Sequence, residues 1–192
     1  MEKKDLKPAG VFKYFEEICQ VPRPSKKEEK MIAYLKAFGA KHNLETKVDE
    51  AGNVLIKKPA TPGKENLQTV VLQSHIDMVC EKNNDVQHDF LTDPIETEID
   101  GEWLKAKGTT LGADNGIGVA TELAILADDS IEHGPLECLF TVDEETGLTG
   151  AFALKEGFMS GDILLNLDSE DEGEIFIGCA GGIDSVAEFT YK

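Results

Sequence analysis

The chain has 192 residues, of which 41% are hydrophobic, and this length and composition suit one folded domain with a single buried core. Its 37 acidic and 19 basic side chains give a formal net charge of −18, which disfavours nucleic acid and anionic membranes as partners. No apolar stretch is long enough to span a bilayer, and the N-terminus lacks the apolar segment of a signal peptide, so we expect a cytoplasmic protein.

The N-terminal part of the chain predicts two helices followed by a hairpin. Apolar side chains recur at helical spacing over residues 9–20, and a second periodic segment reaches Phe38. Ser25 and Glu28 precede that segment at the spacing of a capping box, which predicts the N-terminus of a helix. Residues 45–57 have the composition and the central turn residues of a β-hairpin.

The rest of the chain predicts strands that alternate with helices. The strand-like segments are short apolar runs, typical of strands covered on both faces, and a second hairpin centres on Asp100 and Gly101. This alternation predicts an α/β fold with a mixed, mostly parallel sheet flanked by helices. The predicted strands cover 69–72, 136–142, 163–167 and 175–177, the second hairpin covers 95–104, and the helices cover 116–127 and 149–156.

The four cysteines are widely separated and include no Cys-x-x-Cys pair. Three of them lie inside apolar runs, where a free cysteine packs as a small hydrophobic side chain. This usage predicts reduced thiols rather than zinc ligands or disulfides, in keeping with a cytoplasmic location. The residues are Cys19, Cys80, Cys138 and Cys179.

Polar residues that suit a metal centre stand where predicted strands end or a predicted helix begins. In an open α/β sheet this is the position at which ligands bind. One imidazole and several carboxylates suit a divalent ion such as zinc, and a further carboxylate suits the activation of water. The candidates are His75, Asp77, Asp114, Glu144, Glu145 and Asp168.

Each candidate also has a simpler interpretation. A single histidine at a strand end is more often structural than a ligand, and Asp114 before a helix would serve as an N-cap. Glu144 and Glu145 would suit a solvated turn before a helix N-terminus. Asp168 begins a stretch similar to the first half of an EF-hand loop, but Cys179 stands where that loop needs a glutamate, so calcium is disfavoured.

Longer motifs favour the metal interpretation. They are His-Ile-Asp-Met-Val at 75–79, His-Asp-Phe at 88–90, Gly-Thr-Thr-Leu-Gly-Ala-Asp-Asn-Gly-Ile-Gly at 108–118, His-Gly-Pro-Leu-Glu at 133–137, Asp-Glu-Glu-Thr-Gly at 143–147 and Gly-Cys-Ala-Gly-Gly-Ile-Asp at 178–184. With them the chain resembles the M20-type co-catalytic metallopeptidases, and within these the aminoacyl-histidine (Xaa-His) dipeptidases of the peptidase D type. The ordered series runs over nearly the whole chain and is specific, whereas a lone Asp-Glu-Glu would not be.

The resemblance implies two divalent metal ions, which would be zinc or, alternatively, cobalt or manganese. It implies His75, Asp114 and Asp168 as ligands of the first ion. The second would bind Asp114, Glu145 and a histidine that this sequence does not contain. Asp114 can bridge both ions because each carboxylate oxygen is an acceptor. The neighbouring glycines and the resemblance together predict an unusual, strained peptide between Asp114 and Asn115.

The resemblance also implies roles for two residues that hold no metal. Asp77 would orient the His75 imidazole, and Glu144 would act as the general base. A metal-activated water would attack the carbonyl of a dipeptide, and Glu144 would pass the proton to the leaving amine. The expected function is therefore hydrolysis of Xaa-His and related dipeptides. Deacylation of N-acyl amino acids, or metal binding by a catalytically incomplete fragment, are the alternatives.

Members of the resembled family are much longer than this chain. We expect residues 1–182 to form the N-terminal part of the catalytic domain, with the small residues 178–182 as a hinge. Residues 183–192 would begin a lid domain whose remainder is absent, and a homodimer would form through that lid. The second metal would lack a ligand and the substrate pocket would be incomplete, so we expect this chain alone to be inactive.

Overall fold

A five-stranded sheet with helices packed on it forms the framework of the protein. The computed structural model describes residues 3–169, 171–178, 181–182 and 185–191. In chain order the elements are α1 (Ala9–Cys19), α2 (Glu29–Lys41), β1 (Glu45–Val48), β2 (Val54–Lys58), β3 (Val70–His75), β4 (Thr97–Asp100), β5 (Trp103–Ala106), α3 (Ala113–Ala127), β6 (Leu136–Thr141), α4 (Thr149–Ala153) and β7 (Ile163–Asn166).

The strands of the large sheet lie in the order β1-β2-β6-β3-β7. Strand β3 pairs in parallel with β6 and β7, whereas β2 is antiparallel to both β1 and β6. This arrangement confirms the predicted mixed sheet flanked by helices, and β4 and β5 form a separate hairpin. Because β3 and β6 are parallel, their carboxyl ends meet at one edge of the sheet, where His75 lies opposite Thr141.

Most of the core lies on one face of this sheet. Leu72 and Phe140 project from neighbouring strands and belong to one buried cluster with Phe15 of α1, Met31 of α2 and Leu123 of α3. Alternate strand residues point to opposite faces, so the apolar runs of the sequence supply side chains to both. Burying each large apolar side chain contributes about 1.5–3 kcal/mol, so the packing of the helices on this face stabilises the fold.

The other face of the sheet is covered less completely. Val71 and Leu139 point to this face and pack against three partly buried side chains, which are Leu154, Phe158 and Met159. Leu164 and Leu165 of the edge strand β7 are each 48% exposed. The described residues therefore leave part of this face and the β7 edge open to solvent.

Three helices differ from their predicted limits, and α3 begins at Ala113, three residues before the predicted start. Ser25 and Glu28 form no capping box, because α2 begins at Glu29 without a side-chain cap. Helix α4 ends at Ala153, since the backbone of Leu154 is no longer helical. No helix in the described part of the chain is long and apolar enough to cross a membrane.

The C-terminal segment shows a further difference. Residues 175–177 form no strand, and their side chains lack a partner strand within the described ranges. Residues 185–191 are likewise outside any strand, and residues 183, 184 and 192, which complete the predicted lid strand, lie outside the described residues. The division of the chain at residue 182 therefore stays a prediction.

Three of the cysteines, Cys19, Cys80 and Cys138, are free thiols. Burial raises the pKa of Cys19 to about 12 and that of Cys80 to about 11. Both side chains therefore stay protonated at neutral pH and behave as apolar groups rather than nucleophiles. Cys179 lies outside the described residues.

Candidate metal centre

The carboxyl ends of the parallel strands β3, β6 and β7 bring together side chains from distant parts of the chain. His75 is the last residue of β3, Glu144 and Glu145 follow the end of β6, and Asp168 follows the end of β7. Asp114 enters from the N-terminal end of α3. Parallel strands place their carboxyl ends at one edge, and this topology gathers the predicted residues into one site.

The distances around His75 define the centre. Its Nε2 atom lies 3.0 Å from Asp114 Oδ1, 3.6 Å from Asp168 Oδ1 and 4.0 Å from Glu144 Oε2. The His75 side chain is only 1% exposed, whereas the Asp114 side chain is 55% exposed. The imidazole therefore lies at the buried end of the centre, and the carboxylates lie nearer to solvent.

Asp77 lies behind His75 and is completely buried. Its Oδ1 atom faces His75 Nδ1 at a distance of 3.2 Å, on the side of the ring from which a carboxylate can orient a ligand imidazole. Asp77 also accepts hydrogen bonds from the backbone N–H groups of Glu144 (3.0 Å) and Glu145 (3.3 Å). Burial by itself raises the pKa of Asp77, but His75, the Glu144 N–H group and the Ser25 hydroxyl outweigh it and lower the pKa to about 2.

The segment before α2 also supports the centre, and sequence reasoning missed this role. The Ser25 hydroxyl donates to Asp77 Oδ2 at 2.7 Å. Glu28 Oε1 accepts from the backbone N–H groups of Lys26 (2.9 Å) and Asp143 (3.0 Å). Glu28, Asp77 and Asp143 form a buried group of carboxylates, and each accepts a hydrogen bond, that of Asp143 Oδ1 coming from the Thr146 hydroxyl at 2.6 Å. The spacing of Ser25 and Glu28 signals a helix cap in the sequence and gives no sign of these long-range bonds.

The backbone at the start of α3 is unusual, as predicted. The peptide bond between Asp114 and Asn115 is cis, and both residues have non-helical φ and ψ angles. Gly112, two residues earlier, has a φ of +69°, which favours glycine. The Asn115 side-chain amide donates to Asp168 Oδ1, so this turn contacts the loop after β7 as well as His75.

The charge of the centre favours a cation. Burial by itself lowers the pKa of His75, but the carboxylates of Asp168, Asp77 and Asp114 outweigh it and raise the pKa to about 11. A histidine that binds a metal must be neutral, so metal binding at His75 would release a proton. The raised pKa reflects carboxylates on both sides of the ring, with Asp77 at Nδ1 and with Asp114 and Asp168 at Nε2.

The carboxylates themselves divide into two kinds. Burial raises the pKa of Glu144 and of Glu145, and neighbouring carboxylates add to both shifts. The hydrogen bond to His75 lowers the pKa of Asp168. A raised pKa makes a carboxylate a better proton acceptor, so Glu144 and Glu145 are better proton acceptors than Asp168.

The donor set suits a divalent metal ion. His75, Asp114 and Asp168 offer ligand atoms within 4.8 Å of one another, and so do His75, Glu144 and Glu145. Imidazole nitrogen and carboxylate oxygen are ligands of zinc and also suit cobalt and manganese. The first group is the ligand set predicted for one metal. The second group contains Glu145, whereas the predicted set of Asp114 and Glu145 has only two ligands in this sequence and stays a prediction.

The other three histidines lie away from this centre. The ring of His42 packs against Phe38 with a centroid distance of 4.4 Å, and His88 packs against Phe90 at 4.5 Å. His133 contacts a backbone carbonyl through Nδ1 at 2.7 Å. None of the three belongs to a group of potential metal ligands within the described residues.

Comparison with known proteins defines the class to which the fold and the centre belong. Residues 71–188, more than half of the chain, match the sequence model of Peptidase family M20/M25/M40. The chain belongs to this family. The match includes every candidate residue of the metal centre, and it confirms the M20 resemblance of the sequence motifs.

Individual relatives extend the likeness over almost the whole chain. This chain is 54% identical over 183 residues to the cytosol non-specific dipeptidase of Escherichia coli. The match covers 95% of this chain and 38% of that protein. The aminoacylhistidine dipeptidase of Vibrio alginolyticus superposes with a TM-score of 0.87 at 56% identity, covering 90% of this chain and 35% of that one. Aminopeptidase PepT of Bacillus cereus gives a TM-score of 0.72 at 26% identity, with 84% and 43% covered. The chain thus spans less than half the length of each of these relatives.

Proposed function

We propose that this chain forms the N-terminal part of the catalytic domain of a metal-dependent dipeptidase that hydrolyses Xaa-His and related dipeptides. The observation that carries the proposal is the cluster of three carboxylates within 4.0 Å of His75 Nε2, with Asp77 buried behind the ring. The names of the relatives support the reaction, since two of them are dipeptidases.

In this proposal the residues of the centre bind two metal ions. His75, Asp114 and Asp168 hold one ion, and Asp114 and Glu145 contribute to a second ion whose remaining ligand lies outside this sequence. When bound, such ions acidify a water molecule and polarise the carbonyl of the scissile peptide. Asp77 keeps the proton on Nδ1 of His75, so that Nε2 presents its lone pair to the metal.

Glu144 is the proposed general base. It lies at the opening of the centre, 30% exposed, and burial raises its pKa, which makes its carboxylate a better proton acceptor. Its carboxylate would accept the proton of the attacking water and deliver it to the leaving amine nitrogen of the dipeptide. The adjacent residue, Glu145, is the proposed ligand of the second metal ion.

The wider setting of the protein is also proposed. The name of the Escherichia coli relative supports a cytoplasmic location, and a homodimer through a lid domain stays a prediction. A deacylase of N-acyl amino acids would use the same ligands, but no described residue favours it, and the named peptidase relatives favour a peptide substrate.

The test is a substrate panel with controlled metal content. The 192-residue chain and the longest product of its gene are freed of metal with a chelator, then supplied with zinc or manganese and assayed on Gly-His, β-alanyl-histidine and N-acetyl-histidine. We expect metal-dependent cleavage of the dipeptides by the longer product. Cleavage of N-acetyl-histidine alone would identify a deacylase, and metal binding without turnover by either protein would identify a binding fragment.

A further inference from the structure

Arg23 lies behind the candidate metal centre, although its sequence context indicates only the end of α1. Its side chain is buried, and Nη1 donates to the backbone carbonyls of Ile76 (3.1 Å) and Asp77 (3.0 Å). Nη2 donates to the carbonyl of Gly112 at 2.5 Å. One guanidinium therefore joins the end of β3 to the turn before Asp114. We propose that Arg23 is a positioning residue that sets the distance between these two ligand-bearing segments.

The surroundings of the guanidinium are shaped to receive it. A Cβ atom at Gly112 would lie 2.5 Å from Arg23 Nη2, and one at Gly116 would lie 2.7 Å from the same atom. Glycine at both positions thus leaves the space that the guanidinium fills. A planar fork can reach several carbonyls in fixed directions, whereas the ammonium group of lysine is a point donor on a flexible stem.

The bonds of Arg23 go to the backbone and leave the ligand side chains free. Its guanidinium makes no ion pair with a carboxylate within the described residues; the carboxylates of Asp77 and Asp114 act on it only at longer range. Arg23 thus sets the distance of 3.0 Å between His75 Nε2 and Asp114 Oδ1 through the backbone. Its guanidinium does not occupy the side-chain atoms that would bind the metal.

A second connection between the same segments lies farther from the centre. The Thr110 hydroxyl donates to the carbonyl of Val79 at 2.7 Å, and the Thr110 N–H group donates to the carbonyl of Glu81 at 2.8 Å. These bonds would hold the segments together in a variant of Arg23. The expected effect of such a variant is therefore a loosened metal centre in a protein that still folds.

The experiment compares Arg23 with a second buried cation. Lys58 also donates to backbone carbonyls, those of Ile125 (3.1 Å) and Asp128 (2.8 Å), at the far end of α3. Zinc affinity is measured by competition with a chromophoric chelator, and urea unfolding of the metal-free protein is measured in parallel. We expect Arg23→Lys and Arg23→Met to weaken zinc binding by about 10–100-fold, the usual effect of losing a group behind a ligand. Lys58→Met should lose stability and keep the parent affinity.

This inference rests on the proposed function, and the outcomes separate the two. A parent protein that binds no zinc would defeat the proposed metal centre itself. A parent that binds zinc, with Arg23 variants of equal affinity, would defeat only the positioning role. If Arg23→Lys binds zinc with the affinity of the parent protein, the positive charge matters and the planar guanidinium does not. If Arg23→Lys is unfolded, Arg23 is needed for the fold itself. Either result would overturn the proposal.

Discussion

At the scale of single residues, two adjacent glutamates have different surroundings. The N–H groups of Glu144 and Glu145 both bond to Asp77, which fixes the backbone of this pair at the edge of the sheet. Glu144 Oε2 lies 4.0 Å from His75 Nε2, farther than Asp114 and Asp168. Both glutamates belong with His75 to one group of potential metal ligands, and the proposed division makes Glu145 the ligand and Glu144 the base.

Glu144→Gln should therefore remove turnover without removing metal. The amide keeps the shape of the side chain but cannot accept a proton, and the loss of a general base costs about 10²–10⁴-fold in rate. Metal analysis and steady-state kinetics on the longest gene product decide the matter, with Glu145→Gln as the matched control that should lose metal. Ordinary turnover in Glu144→Gln, or loss of its metal, would contradict the assignment.

Asp77→Ala should lower the metal affinity of the candidate centre, although Asp77 is not itself a proposed ligand. The substitution removes the carboxylate that faces His75 Nδ1 at 3.2 Å, and the loss of such a group costs about 10–100-fold in metal affinity or activity. His75→Ala, which deletes a ligand, should cost more, and Ser25→Ala, which removes one bond to Asp77, should cost less. Zinc titration of the three variants gives the order, and parent-like binding by Asp77→Ala would refute the pairing.

At the scale of elements, α3 carries a buried acid that the site does not use. Glu122 faces the sheet and is 0% exposed, and neither of its carboxyl oxygens has a hydrogen-bond partner among the described residues. Burial raises the pKa of Glu122 well above its usual value, and Ser74 and Cys138 beside it offset only part of the shift. An acid whose pKa is higher in the folded state than in the unfolded chain makes folding less favourable as the pH rises.

Glu122→Met should stabilise the protein, and the gain should depend on pH. An acid with a raised pKa in the folded state is protonated in both states below about pH 4, so it costs nothing there on this account. As the pH rises, the unfolded chain loses the proton first, and folding becomes less favourable. Removing a buried, unsatisfied polar group should raise the free energy of unfolding by about 1–3 kcal/mol at pH 7 and by less at pH 4.

Urea unfolding at both pH values measures this effect. Glu102→Gln, at an exposed position in the β4–β5 turn, is the control and should change the free energy of unfolding by no more than about 0.5 kcal/mol. A destabilised Glu122→Met protein would show that the fold stabilises this carboxyl, and a gain that is equal at both pH values would show that folding does not raise its pKa.

At the scale of the whole molecule, the sheet and the metal centre are both open on one side. Leu164 and Leu165 on the edge strand are half exposed, and Phe152 of α4 is 81% exposed. The chain covers 38% of its Escherichia coli relative. Of the two proposed metal positions, one has three protein donors within the described residues and the other has two.

The 192-residue chain by itself should bind one divalent ion firmly and show little dipeptidase activity. His75, Asp114 and Asp168 provide three ligands, the number typical of a catalytic zinc, whereas Asp114 and Glu145 are too few to hold a second ion against water. Calorimetric zinc titration and a Gly-His assay test this prediction. Two tight sites with ordinary turnover would mean that a residue of this chain completes the second site.

The sequence by itself determined the local elements and the chemistry of the candidate residues. Apolar runs located β3, β6 and β7, and turn residues located both hairpins, because such patterns depend on neighbours only a few positions apart. The motif series also pointed to all six residues of the centre and to the unusual Asp114–Asn115 peptide. A strand predicted at 175–177 did not form, since a strand needs a partner that local pattern cannot supply.

Only the tertiary structure decided how distant segments meet. The Ser25 hydroxyl bonds to Asp77, 52 positions away, and Arg23 Nη2 bonds to Gly112, 89 positions away. In the sequence, the same segment resembles an ordinary helix end followed by a cap. Its role depends on the parallel order of β6, β3 and β7, which brings strand ends and the start of α3 to one edge. Backbone carbonyls have no sequence signature, so the bonds that fix the centre emerge only when the chain is folded.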